Sequence, residues 1–371
     1  MLFKKTIKKQ EMRTMKRRFA SFAIAGIMFM VACGTQGVNE ASQQTSSERI
    51  STPVVDPITI RFAHNGPDDP NDQMHQSALF FAQRVNELSN GAMQVNIYPA
   101  SQMGTTDEIL ELMSAGEVHM GDIENAPLTR YVPETMWIDL PYVIQSYEHA
   151  EAVFNARSDV SRWIRPIFVE NGFRVLGVYH SGFRNMMNTR GPINHPSDME
   201  DLLIRVMNSE VMIQTMIAFG ADAIVLPFAE VYGAVERGEI DGQEQALAFT
   251  YSMNFFEVLD YLSMTEHFYN PRTYIFSEVA WQQLTSAQRL IIIEATEDAI
   301  NHANRVHHEN QAVLMQNILA TGMNVNYLSD ANMAAFISAG QSIWPMFYEP
   351  IGSGNAARGN VILEMILSYI P

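Results

Sequence analysis

Asp201-Leu202-Leu203-Ile204-Arg205-Val206-Met207-Asn208-Ser209 sets one arginine among five apolar residues. An apolar run of this length, closed by polar residues at both ends, reads as a buried strand. An arginine buried there without an anion is costly. Its planar fork holds a carboxylate through two parallel hydrogen bonds, which a lysine cannot do. On the arginine alone, an internal salt bridge to Asp or Glu is the favoured reading, because buried charges are usually paired. Gly182-Phe183-Arg184-Asn185 lies upstream of this run, and Ile240-Asp241-Gly242-Gln243-Glu244-Gln245 lies downstream.

Working outward, the chain alternates strand and helix patterns. Strands are expected at 58–63, 93–98 and 118–123, with helices at 73–88 and 107–113 between them. Leu79, Phe80, Val85 and Leu88 mark the apolar face of the first helix, Gly91 ends it, and Thr105 or Thr106 caps the second. Helices at 148–154 and 160–171 and a strand at 173–179 follow. A second series then runs through strands at 183–188, 202–207, 223–226 and 240–243, with helices at 210–219 and 228–237. Such an order implies parallel pairing and right-handed crossovers, with ligands at the carboxyl ends of the strands. Asn65 and Glu124 fall just past strand ends. Residues 270–276 form a returning strand. Residues 286–320 hold Leu290, Ile293, Ala299, Ala303, Val306, Val313 and Ile318 in a helical pattern too long for one lobe, and 331–348 give a further helix.

Several ordered motifs carry a resemblance over residues 58–351. They are Tyr98-Pro99-Ala100-Ser101-Gln102-Met103-Gly104, Leu140-Pro141-Tyr142, Gly182-Phe183-Arg184, Ile204-Arg205-Val206-Met207-Asn208, Pro227-Phe228-Ala229-Glu230-Val231-Tyr232 and Asp241-Gly242-Gln243-Glu244. Each is weak alone, and their order and spacing are specific. The chain resembles the extracytoplasmic substrate-binding proteins of tripartite ATP-independent periplasmic (TRAP) transporters. The resemblance implies an α/β, two-lobed periplasmic-binding-protein-like fold, with a long helix spanning both lobes and a ligand cleft between them. It implies that Arg205 grips a ligand carboxylate and Arg184 assists, that Asn65, Glu124, Asn208 and Gln245 read the rest of the ligand, and that Phe228 packs against it. Glu244 and His267 would lie near the hinge. Gln245-Ala246 stands where the family usually has Asn-Pro, and Ala126-Pro127 supply no charge where the family can carry an arginine.

The amino-terminal segment reads differently. Lys4, Lys5, Lys8, Lys9, Arg13, Lys16, Arg17 and Arg18 precede an apolar stretch at 19–32, a signal-peptide pattern too short for a mature membrane span. Met30-Val31-Ala32-Cys33 resembles a lipoprotein cleavage site, with Cys33 as the lipidated residue. Met15 is an alternative start. Cys33 is the only cysteine, so no disulfide forms within the chain. Residues 34–56 have the composition of a flexible tether. The chain holds 24 basic and 41 acidic residues. Residues 1–33 take eight and one of these, which leaves 16 against 40 and a formal charge of −24. So acidic a surface argues against nucleic acid and against docking on anionic lipid through the folded domain. No lysine occurs after Lys16. A chain whose cations are all arginine is expected to hold its charge, and its ligand, in alkaline medium.

No pattern for catalysis is found: no Gly-x-Ser-x-Gly, no His-Glu-x-x-His and no P-loop lysine. Asp68, Asp69 and Asp72 lack the glycine and glutamate offsets of a calcium loop and read as a solvated turn. His302, His307 and His308 lack i, i+4 spacing, so neither metal nor cofactor is expected. The domain expectation is lobe I at 57–181 with 271–310 and lobe II at 182–270 with 311–371. The functional expectation is a monomeric binding protein that captures a small organic acid outside the cell membrane. It would deliver the acid to TRAP membrane permease subunits and touch the membrane only through its lipid anchor. The alternatives are a receptor subunit coupled to a membrane signalling kinase and an extracellular enzyme acting on acidic sugars.

Overall fold

The computed structural model describes residues 56–371. Cys33, the signal segment and residues 34–55 of the tether lie outside the described residues. Among the described residues no helix is long and apolar enough to cross a membrane.

Among the described residues, nine strands form one mixed sheet in the order β2-β1-β3-β8-β4-β7-β5-β6, with β9 on β8. They are β1 Ile58–His64, β2 Met93–Tyr98, β3 Met120–Glu124, β4 Phe173–Asn188, β5 Leu203–Val206, β6 Asp222–Val225, β7 Gly242–Ala246, β8 Tyr261–Ser277 and β9 Asn324–Tyr327. The parallel pairing expected from the alternating order holds within each half: β1 with β2 and β3, and β5 with β6 and β7. Antiparallel β4 and β8 join the halves. The first part of β4 pairs with the last part of β8 beside β3, and the last part of β4 lies between β8 and β7.

The sequence reading broke β4 at 180–182 and missed the first nine residues of β8. The break has a local cause. The β4–β8 register shifts between His180 and Phe183, where Gly182 has φ +105° and lets the strand bend without ending. Gly177 matters for a different reason. A Cβ there would lie 2.1 Å from Ile300 Cδ1, so any larger residue would require the tip of the Ile300 side chain to move.

Helices cover both faces. The helix Gln73–Leu88 and the 35-residue helix Ser286–Ala320 pack on β1, β3 and β8 through Phe81, Val85, Ile292, Ala295, Ala299 and Ala303. Val85, Ala299, Ala303 and Ile318 are buried as the sequence reading placed them, but other residues of the pattern are not. Leu79, Leu290, Ile293 and Val313 are exposed, while Ala78, Ile292 and Thr296 face inward. Small residues take much of the close contact, so large aliphatic residues alone did not mark the buried stripe. Asp72 is not a solvated turn residue either. It is buried as the cap of the first helix and accepts from the backbone N–H groups of Met74 and His75. On the opposite face, Ile109, Leu110, Met113, Ile164 and Phe168 pack against Ile123, Phe173 and Ile275. Around β5, helix Glu210–Phe219 packs through Met212, Met216 and Phe219 onto Ile204 and Phe268. The carboxyl-terminal helix Ala356–Leu367, which the sequence reading left open, packs Ile362, Leu363 and Ile366 against Trp137, Val153 and Val160.

Candidate ligand site

The carboxyl ends of the parallel strands in both halves point at one pocket. Asn65 follows β1, Glu124 ends β3, Met207 follows β5, Phe228 lies beyond β6, and Gln245 is near the end of β7. The long strands add Arg184 from β4 and Asn270 and Arg272 from β8. Phe249 completes the wall. A second space of about 200 Å³ shares Asn65, Glu124, Arg205, Met207 and Phe228 and extends outward past Thr106, Asp107 and Asn208.

Three buried guanidinium groups therefore line one pocket, and their partners differ. Arg184 meets Glu244 twice: Nε donates to one carboxylate oxygen, and Nη2 to the other at 2.9 Å. Its remaining donors reach the Glu244 carbonyl at 2.8 Å, Gln245 Oε1 at 2.8 Å and Asn270 Oδ1 at 3.3 Å. Glu244 is fully buried. Burial works to raise its pKa, but Arg184 and His267 outweigh this and hold it below the usual carboxylate range. His267 Nδ1 lies 2.8 Å from Thr265 Oγ1, and its Nε2 faces Glu244 at 3.7 Å.

Arg272 meets two acids. Nε donates to Asp122 Oδ1 at 2.8 Å and Nη1 to Glu124 Oε2 at 2.7 Å. Burial opposes its charge, but Asp122 and Glu124 outweigh burial and raise its pKa. Glu124 also accepts from Asn65 Nδ2 at 2.9 Å and Thr106 Oγ1 at 3.2 Å. Burial would raise Glu124, yet Arg272, its own backbone N–H and the Thr106 hydroxyl keep its pKa low. Glu124 thus stays ionised and can only accept hydrogen bonds.

Arg205 meets no acid. Its Nε and Nη2 both donate to the Leu226 carbonyl, at 3.0 and 2.8 Å. Its Nη1 is buried and has no hydrogen-bond partner among the described residues. No salt bridge to Arg205 forms among the described residues, so the internal ion pair favoured on the arginine alone is not what the fold provides. Burial pushes its pKa down to about 10, with Glu244 partly opposing that fall. The expectation that every arginine stays charged well into alkali is corrected at Arg205, and burial lowers the pKa of Arg165 as well.

Six of the residues singled out from sequence line the inner pocket: Asn65, Glu124, Arg184, Arg205, Phe228 and Gln245. Asn208 does not join them. It lines only the outer space, where Nδ2 lies 3.4 Å from Asp107 Oδ2. Glu244 and His267 sit behind Arg184. Sequence reasoning missed Met207, Phe249, Asn270 and Arg272. A signal for Arg272 was present: Tyr269-Asn270-Pro271-Arg272-Thr273-Tyr274-Ile275-Phe276 also sets an arginine in a buried strand pattern. The rule applied to Arg205 would have found it.

A sequence model of the bacterial extracellular solute-binding proteins of family 7 matches residues 62–350. The 2,3-diketo-L-gulonate-binding periplasmic protein of Escherichia coli is 26% identical over 297 residues, 80% of this chain and 89% of its own. A TRAP periplasmic solute-binding protein of Sulfurospirillum deleyianum, solved with succinate, is 27% identical with a TM-score of 0.77, covering 84% of this chain and 99% of its own. Another, from Chromohalobacter salexigens and solved with D-glucuronate, is 25% identical with a TM-score of 0.77, covering 84% of this chain and 100% of its own.

Proposed function

The chain belongs to the bacterial extracellular solute-binding proteins of family 7, and we propose that it captures a hydroxylated monocarboxylic acid for a TRAP-type permease. The family is extracytoplasmic, and its members are binding proteins, not enzymes. The observation that carries the ligand reading is Arg205 Nη1, a buried donor with no partner among the described residues. Arg205 Nη1 would donate to the ligand carboxylate. An unpaired buried guanidinium favours such an anion because the ion pair relieves the cost of burial.

The partners of the other arginines support a single carboxylate. Arg184 is already answered by Glu244, and Arg272 by Asp122 and Glu124. A second ligand carboxylate would approach Glu124, which is ionised and accepts only. Ligand hydroxyl groups suit Glu124 and the Asn65 amide better. Phe228 and Phe249 would pack against the carbon skeleton, with Gln245 and Asn270 as further polar contacts. Sugar acids fit this pattern better than four-carbon dicarboxylates. In the lobe arrangement we propose, residues 57–181 with 271–310 close against 182–270 with 311–371. Asn208 and Asp107 would meet at the rim as they close, with Glu244 and His267 near the hinge. The protein would act as a monomer.

Calorimetry with D-glucuronate, D-gluconate and succinate tests the ligand class. We expect both sugar acids to bind at least about tenfold more tightly than succinate, a difference of about 1.4 kcal/mol. Succinate binding as tightly as the sugar acids would defeat the monocarboxylate reading. Failure of every organic acid to bind would defeat the functional reading itself. Cys33 would anchor the protein through lipid. Palmitate labelling that persists in Cys33→Ser would rule that anchor out. No observation favours a receptor coupled to a signalling kinase.

A further inference from the structure

Away from the arginine pocket, Glu151, His180 and His308 each bring one ligand atom to within 4.8 Å of the others. Glu151 comes from the helix Tyr147–Phe154, His180 from β4 and His308 from the long helix Ser286–Ala320. His180 is 3% exposed, and its Nδ1 lies 2.6 Å from Tyr269 Oη. That contact fixes the ring and turns Nε2 toward Glu151 Oε1, 3.4 Å away. His308 Nε2 faces the same oxygen at 3.7 Å. The side chains of Glu151 and His308 are about half exposed, so the group is open to solvent.

Hydrogen bonding does not account for this arrangement well. A separation of 3.7 Å is too long for a hydrogen bond, and 3.4 Å is at the weak end. The separations suit a shared ion better. Ligand atoms about 2.1 Å from a tetrahedral metal stand about 3.4 Å from one another. The geometry points to a transition-metal site at Glu151, His180 and His308 that takes Zn²⁺, with its fourth position open to water.

The donor set fits that ion, since two imidazoles and a carboxylate are established zinc ligands. Tyr269 Oη would accept the Nδ1 proton of His180 and hold the tautomer whose Nε2 lone pair faces the metal. His307 is no fourth ligand, because its Nε2 is taken by Tyr147 Oη at 3.0 Å. A search for i, i+4 histidines along the long helix misses such a site, which draws one ligand from each of three elements. His180 lies at the register break where β4 passes from one half of the sheet to the other, and the long helix packs along β4 there. A bound ion would tie that crossing point to two helices. It does not depend on what binds at Arg205.

The test uses the chain without a polyhistidine tag, stripped with chelator and titrated with Zn²⁺ against a fluorescent zinc indicator. One equivalent should bind. His308→Ala and Glu151→Gln should each weaken binding by about tenfold or more. Tyr269→Phe should weaken it by about ten- to a hundredfold, the usual effect of removing a group that orients a ligating histidine. Circular dichroism shows whether each variant is folded, and His308 and Glu151 are exposed enough to replace without loss of the fold. No stoichiometric binding to the wild-type chain would overturn the proposal. Binding undiminished in folded His308→Ala would overturn it too, since the zinc would then sit elsewhere.

Discussion

Arg184 on β4 and Arg205 on β5 are each 2% exposed, yet one is answered by a carboxylate and the other by a backbone carbonyl. The Arg184 side of the pocket is complete: every nitrogen of its guanidinium donates to the protein. The Arg205 side leaves Nη1 without a partner among the described residues. A buried ion pair that is already satisfied has little reason to reorganise for a ligand. A buried cation without its anion has a strong one. The comparison separates arginines that the protein already answers from the one that, on our proposal, the ligand completes. Burial alone does not distinguish them.

The comparison can be broken first through the fold. Arg184→Met would leave Glu244 charged and buried with only His267 beside it. The cost should be about 3–5 kcal/mol of stability without ligand, the range for breaking a buried pair. Urea unfolding measures it, and a loss below about 1 kcal/mol would mean that the pair does not hold the pocket together. Arg205→Met should act the other way round. Ligand affinity should fall by about 2–5 kcal/mol, while ligand-free stability should stay level or rise, because an uncompensated charge has been removed. Calorimetry and urea unfolding on the same preparation give both values. Equal destabilisation by the two substitutions would erase the distinction.

Alkali sharpens the comparison on a smaller scale. The pKa of Arg205 is lowered by burial to about 10 in the ligand-free protein, and a bound carboxylate favours the protonated form. Affinity should therefore be level from neutral pH to about pH 9. Above about pH 10 it should fall by up to tenfold, about 1.4 kcal/mol, per pH unit as the ligand-free arginine loses its proton. A level profile through pH 11 would mean that this guanidinium is less perturbed than its burial implies. The smallest effect belongs to the rim. Asn208→Ala removes an exposed 3.4 Å contact with Asp107 and should weaken binding by less than about 1 kcal/mol. A loss above 2 kcal/mol would place Asn208 against the ligand.

Much of this is legible in the sequence. Helices 73–88, 210–219 and 286–320 fall where the pattern put them, because capping residues and unbroken periodicity mark their ends. The apolar runs around Arg205 and Asp122 read as the short parallel strands they form. Other features depend on tertiary contacts that no local pattern carries. Whether Arg205 or Arg184 is the free cation is decided by Glu244, sixty residues along the chain from Arg184. The unity of β4 rests on its pairing with β8 across a glycine bend. Asn270 and Phe249 reach the pocket only because β8 and the segment after β7 turn toward it.

A crystal structure with D-glucuronate bound tests the central claim most directly. The account predicts a ligand carboxylate oxygen about 2.8 Å from Arg205 Nη1, with the Arg184–Glu244 pair unchanged. A carboxylate bound instead to Arg184, with Glu244 turned away and Arg205 Nη1 still unpartnered, would contradict it.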